Sequence, residues 1–92
     1  MDAVSAGVFV VTLEALEGGR PPVLTILAFI KAATEVDAEA TAVVEVGRDG
    51  FSHARVLRTA EVIDAKAMPE DFASAMANAH RYGCGLIVYD EP

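Results

Sequence analysis

Hydrophobic residues follow one another along residues 7–13 without strict alternation, and this run is rich in β-branched and aromatic side chains. Such a run is typical of a strand that is buried on both faces. A break follows at residues 17–22, which contain two glycines and two prolines. The pattern therefore predicts a first strand and, after the break, a new element.

The second apolar stretch, residues 22–36, has apolar side chains on every side of a helical projection. Proline is favoured in the first turn of a helix, so the proline pair at its start predicts a helix. A helix that is apolar all round must be covered on all sides. We therefore expect a homo-oligomer that assembles through residues 22–36; the alternative is a helix sunk in the core of its own chain.

The middle of the chain allows more than one interpretation. Residues 37–40 are polar and indicate a connector, and residues 41–46 favour a second strand that closes at the turn 47–50. If this turn joins a hairpin, residues 51–64 contain an antiparallel strand. If it joins a strand to a helix, Phe51, Ala54 and Leu57 begin a short helical face.

The last third of the chain opens with signals of a helix start, a proline followed by two acidic residues at positions 69–71. Apolar residues then recur at helical spacing, and His80 and Arg81 lie where the negative end of the helix dipole favours cations. A glycine at position 83 or 85 can end this helix. Residues 86–89 predict a final buried strand.

Composition indicates one folded domain over residues 1–92, because 53% of the residues are hydrophobic. The net charge of −7 makes nucleic acid and anionic membranes poor partners, since both require clustered lysine and arginine. The apolar stretches are shorter than the roughly 20 residues of a bilayer span, and the first residues lack the basic segment of a secretory signal. We therefore expect a cytoplasmic protein with no nucleic-acid or membrane partner.

Catalytic candidates are few. Cys84 is the single cysteine, and its thiolate could attack a substrate or carry sulfur, but it follows the negative end of a helix, which raises a thiol pKa. We expect a structural cysteine. Neither histidine has metal-site or triad spacing, and no paired acids are confined to a cleft. The sequence thus favours a protein without cofactor, metal or catalysis over an enzyme.

Positive charge is concentrated in one segment of this acidic chain, which contains Arg48, His53, Arg55 and Arg58. Backbone amides of the 47–50 loop could add donors for a carboxylate, a phosphate or a protein partner. The predicted ligand-binding residues are Arg48, Asp49, Gly50, His53 and Arg55. The alternative is that these arginines pair with acidic side chains, which outnumber the basic ones fourteen to seven.

Several segments resemble the small DsrE/DsrF-like sulfur-relay family. The likeness covers residues 7–11 as a strand, 23–33 as an alanine-rich helix, 41–46 followed by the step 49–51, and 75–88 as a late helix and strand. It implies a small three-layer α/β/α sandwich. Members that carry sulfur place a cysteine just after the late strand, where this chain has Tyr89, Asp90 and Glu91. The resemblance therefore implies a non-catalytic, oligomeric binding or assembly module, linked to sulfur relay.

Two other interpretations compete with this one. The first is an α+β ferredoxin-like βαββαβ module that binds a small ligand and regulates, with residues 51–64 as its third strand. The second is a sulfur-transfer enzyme that uses Cys84. A helix over residues 51–60 favours the DsrE-like arrangement, and an antiparallel strand favours the ferredoxin-like one.

Overall fold

The structure is a computed structural model that describes residues 7–62 and 69–89. The elements are β1 (Gly7–Glu17), β2 (Arg20–Ala32), α1 (Glu35–Arg48), β3 (Phe51–Glu61), α2 (Glu70–Tyr82) and β4 (Cys84–Tyr89). The strands form one sheet in the order β3, β1, β2, β4, and every neighbouring pair is antiparallel. The described part of the chain is thus an α/β domain with a four-stranded antiparallel sheet and two helices.

A long hairpin of β1 and β2 forms the centre of the sheet. Its register runs from Gly7 opposite Ala32 to Glu17 opposite Arg20. The turn consists of Gly18 and Gly19, with φ angles of 63° and 78°. Positive φ at both central residues matches the right-handed twist of the strands, and glycine adopts it without steric cost.

The second apolar stretch forms strand β2, so the helix predicted for residues 22–36 is wrong. The strand lies between β1 and β4, and Ile26, Phe29 and Ile30 are fully buried. Its apolarity on all sides reflects two sheet faces covered by helices of the same chain. The prolines lie at its exposed start, where a missing N–H is tolerated. The homo-oligomer expected through residues 22–36 loses the helix on which it was based, because most of this segment is a strand in the middle of the sheet.

Helix α1 includes residues 37–46, so the connector and the strand predicted there are also wrong. The backbone N–H of Asp37 donates to the side-chain oxygen of Thr34 at 3.1 Å, which caps the helix. Acidic residues occupy the first turn, where the helix dipole favours negative charge. Ala38, Ala42 and Val46 recur at every fourth position and are fully buried against the sheet.

Residues 51–61 form the antiparallel edge strand β3, so of the two alternatives for this segment the strand is confirmed and the helix is wrong. Its partner is β1, so the hairpin predicted with residues 41–46 is not formed. Residues 63 and 64 of that prediction lie outside the described residues. The helix and final strand predicted from Pro69 onward are confirmed as α2 and β4. Gly83, with a φ of 90°, ends α2 in the left-handed conformation.

The two helices lie on opposite faces of the sheet. Ala38, Ala42 and Val46 of α1 belong to the larger apolar cluster, and Ala75 and Ala79 of α2 to the smaller one. Alternate side chains of a strand point to opposite faces, so β1 and β2 contribute to both clusters. Helix α2 lies so close to β4 that the backbone carbonyl of Ala75 occupies the place of any side chain at Gly85.

Candidate functional site: the open face of the sheet

Helix α2 covers only one end of its sheet face. The apolar cluster beneath it reaches Val10 on β1 and Leu27 on β2, but no described residue of either strand nearer the hairpin turn. The remainder of this face, which α2 does not cover, is named here the open face. It consists of Thr12, Glu14, Leu16, Val23, Thr25, Arg55, Arg58 and Tyr89.

Strand register arranges the open face in rows across the sheet. One row places Arg55 opposite Glu14, Glu14 opposite Thr25, and Thr25 opposite Tyr89. Directly opposed residues point to the same face, so the four side chains share it. The row spans three strand separations, about 14 Å in all. It presents a guanidinium at one end and a phenol hydroxyl at the other.

Arg55 contributes the positive charge of this row. Its Nη2 atom lies 3.4 Å from Oε1 of Glu14, and its side chain is 72% exposed. Arg58, opposite Thr12, extends the positive charge along β3. Their partners on β1, Thr12 and Glu14, are two residues apart and so about 7 Å from one another, which places the two arginines close enough for a bound group of modest size to touch both guanidinium groups.

A shallow depression of about 240 Å³ lies at the hairpin end of the open face. Its wall contains apolar and charged side chains together, which suits a ligand with a small apolar part and one anionic group. The lining residues are Glu14, Ala15, Leu16, Val23, His53 and Arg55.

His53 lies in this depression because β3 is irregular. The register with β1 shifts between Glu14 and Leu16, and His53 has a φ of 57°. A bulge with left-handed backbone re-aims its side chain, and such strained positions cluster at binding sites. The ring atom Nδ1 lies 3.1 Å from the hydroxyl of Ser52.

The structure divides the predicted ligand-binding residues into two groups. His53 and Arg55 line the depression, whereas Arg48, Asp49 and Gly50 lie at the end of α1. There the Nη1 atom of Arg48 lies 3.5 Å from a carboxylate oxygen of Glu45.

The loop amides are already used. The Asp49 N–H donates to the carbonyl of Glu45 at 3.2 Å, and the Gly50 N–H donates to the carbonyl of Gly47 at 3.2 Å. The end of a helix also carries partial negative charge. In this structure both N–H groups are thus donated within the chain, which disfavours the predicted anion site at this loop.

Three polar residues of the row escaped the sequence analysis, namely Glu14, Thr25 and Tyr89. They are far apart in the chain and meet only through the strand order. Thr25 in particular belongs to the stretch that was predicted to be a helix, so its place on a sheet face could not be anticipated.

Cys84 lies on the other side of the sheet, in the α1 cluster. Burial, together with the carboxylates of Glu45 and Asp49, raises the pKa of its thiol to about 11. The thiol is therefore protonated at neutral pH, which disfavours nucleophilic attack. Among residues 7–62 and 69–89, no group of three or more ionisable side chains is placed to hold a metal ion.

No family model, curated protein or solved structure matches this chain. Neither helix in the described part of the chain is long and apolar enough to cross a membrane. What the open face can bind must therefore be argued from its own side chains.

Proposed function

We propose that this chain is a non-catalytic binding and assembly module that takes a small anionic group, a carboxylate or a phosphate, on the open face of its sheet. The observation that carries the proposal is the open face that α2 does not cover, with Arg55 and Arg58 on its edge strand, in a chain of net charge −7. Guanidinium groups match the planar, bidentate geometry of carboxylates and the oxygens of phosphate.

The surroundings of Arg55 support an anion rather than a structural ion pair alone. Glu14 lies at 3.4 Å from one guanidinium nitrogen, and exposure leaves the remaining N–H groups accessible. An exposed pair of this kind contributes only about 0–1 kcal/mol, so its release costs little when a ligand binds. His53 adds a ring nitrogen to the same depression.

The protonated state of Cys84 supports the non-catalytic part of the proposal. A thiol that is half-buried and faces two carboxylates is a weak nucleophile. The open face contributes hydroxyl, carboxylate and guanidinium groups, which suit recognition and carry no activated nucleophile.

The families considered above bear on the proposal in different ways. One helix on each face of the sheet supports the three-layer DsrE-like arrangement, whereas the antiparallel β3 supports the ferredoxin-like alternative. Residues 23–33 and 41–46, on which the DsrE resemblance partly depended, lie in β2 and α1, the reverse of what it implies. A link to sulfur relay rests on the remaining resemblance alone and stays our second proposal. Persulfide transfer that is lost in Cys84→Ser would favour an enzyme and overturn the non-catalytic proposal.

Titration calorimetry with inorganic phosphate and with acetate tests the anion site. We expect Arg55→Gln to weaken the binding of either anion about tenfold, because it removes a charge-assisted hydrogen bond. Arg48→Gln is the matched control, since both arginine side chains are 72% exposed and each lies near one carboxylate. Equal affinities for wild type and Arg55→Gln, or a loss only in Arg48→Gln, would contradict the proposed site.

A further inference from the structure

Helix α1 carries its larger apolar side chains on the outside. The residues that face the sheet are Ala38, Ala42 and Val46, whereas Val36 is 74%, Val44 55% and Val43 41% exposed. A surface helix that is covered on one side shows the reverse distribution, with apolar bulk towards the core and charge towards water.

The outward residues form one continuous strip. At about 100° per residue, they fall on the side of the helix opposite the core. This strip is named here the outer stripe, and it consists of Val36, Ala40, Val43, Val44 and Gly47. Valine is a poorer helix former than alanine or lysine, so local helix stability gives no reason for three outward valines.

The charges beside the outer stripe are self-complementary. Asp37 and Arg48 lie on the same flank of α1, one in the first turn and one in the last. When two helices pair antiparallel about a two-fold axis, equal flanks meet, and the start of one helix meets the end of the other. Asp37 would then face the partner's Arg48, and Arg48 the partner's Asp37. Parallel pairing would not bring these ends together.

We propose that a second copy of this chain covers the outer stripe, with the two α1 helices antiparallel across a two-fold axis. The small residues Ala40 and Gly47 allow the helices to approach closely, and the valines fill the space between them. The proposal rests on the assembly part of the proposed function and is independent of the anion site. It moves the interface from strand β2 to α1, which shares only residues 35 and 36 with the segment 22–36.

The interface is small. A helix of 14 residues is about 21 Å long, so one helix pair buries less than a typical stable dimer does. We therefore expect a reversible dimer with a dissociation constant on the order of micromolar.

Sedimentation velocity of the full chain, from about 1 to about 200 µM to bracket such a constant, tests the assembly. We expect wild type to shift from monomer to dimer over this range. Val44→Lys should weaken association about tenfold or more, because it places a charge in an apolar contact. Lysine favours helix more than valine does, so this variant should keep its circular dichroism.

Two control variants test whether the interface lies on an exposed apolar residue outside α1. Leu57→Lys changes a 44% exposed apolar residue on β3, and Val88→Lys changes a 41% exposed one on β4. We expect both variants to dimerise as wild type does. A monomeric wild type at all concentrations would overturn this inference and the assembly part of the proposed function. A dimer that survives Val44→Lys but not Val88→Lys would overturn this inference alone.

Charge reversal tests the antiparallel orientation. Asp37→Arg and Arg48→Asp each place like charges opposite one another twice in a homodimer, so each variant alone should associate about tenfold more weakly. Mixed in equal amounts, they restore both opposite-charge pairs, and the mixture should dimerise with wild-type affinity. Failure of the mixture to associate more strongly than either variant alone would overturn the antiparallel pairing.

Discussion

Arg55 is the residue on which the proposed anion site of the open face most depends. Oε1 of Glu14 lies 3.4 Å from one of its guanidinium nitrogens, and Arg55 itself is on the edge strand of the open face. Charge concentration along the sequence predicted Arg55 and His53 as site residues, because neighbours on one strand are also neighbours in space. Glu14 and Thr25 come from other strands, and only the strand order brings them beside Arg55.

The pKa of the Cys84 thiol is raised, the direction that the sequence analysis predicted, but the causes differ. The negative end of a helix was expected to raise its pKa, and the structure adds burial as the largest cause, followed by Glu45 and Asp49. Their combined effect raises the thiol pKa from 9.0 to about 11. A half-buried thiol of this kind packs against the core as a small apolar group.

This raised pKa predicts a pH dependence of stability. The unfolded chain loses the thiol proton near pH 9 and the folded chain only near pH 11, so the stabilising contribution is complete below about pH 9 and is lost as the pH rises through about 11. We expect the unfolding free energy of wild type, relative to Cys84→Ser, to fall over this interval in urea titrations. A difference that stays constant with pH would show that the thiol is not perturbed.

Strand β2 was predicted to be a helix, and residues 41–46 of helix α1 were predicted to be a strand. A run that is apolar on all sides has no period, so residues 22–36 fit a helix or a doubly buried strand equally well, and the prolines favoured the wrong choice. In α1, outward valines gave residues 41–46 the composition of a strand. Helix α2 was predicted correctly because its signals are local: two acids at its start and a glycine after its end.

A substitution within β2 distinguishes the observed strand from the helix that was predicted for residues 22–36. Ile30 is fully buried, so Ile30→Glu should prevent folding or cost about 4 kcal/mol or more, because a carboxylate enters an apolar core. Val23→Glu, at a 56% exposed position of the same strand, should change stability by only about 0.5 kcal/mol. Urea unfolding followed by circular dichroism measures both. A folded, soluble Ile30→Glu protein that has merely dissociated would restore the oligomeric helix that was predicted from the sequence.

At the scale of the whole molecule, each helix packs on one face of the sheet, and the two helices cover their faces to different extents. Helix α1 covers one face, and its outer stripe is on the side of the helix that points away from the sheet. Helix α2 leaves half of the opposite face open. Pairing through α1 would therefore leave the open face of each copy accessible, so assembly and anion binding are compatible.

The central claim is that the open face binds a small anion. A chemical-shift map tests this claim most directly. Inorganic phosphate would be titrated into ¹⁵N-labelled protein, and the backbone amides followed one by one. We expect the largest shifts on the open face, at Glu14, Thr25, His53 and Arg55, with residues 47–50 unchanged. Shifts confined to the 47–50 turn, or none at any amide of the open face, would contradict the account.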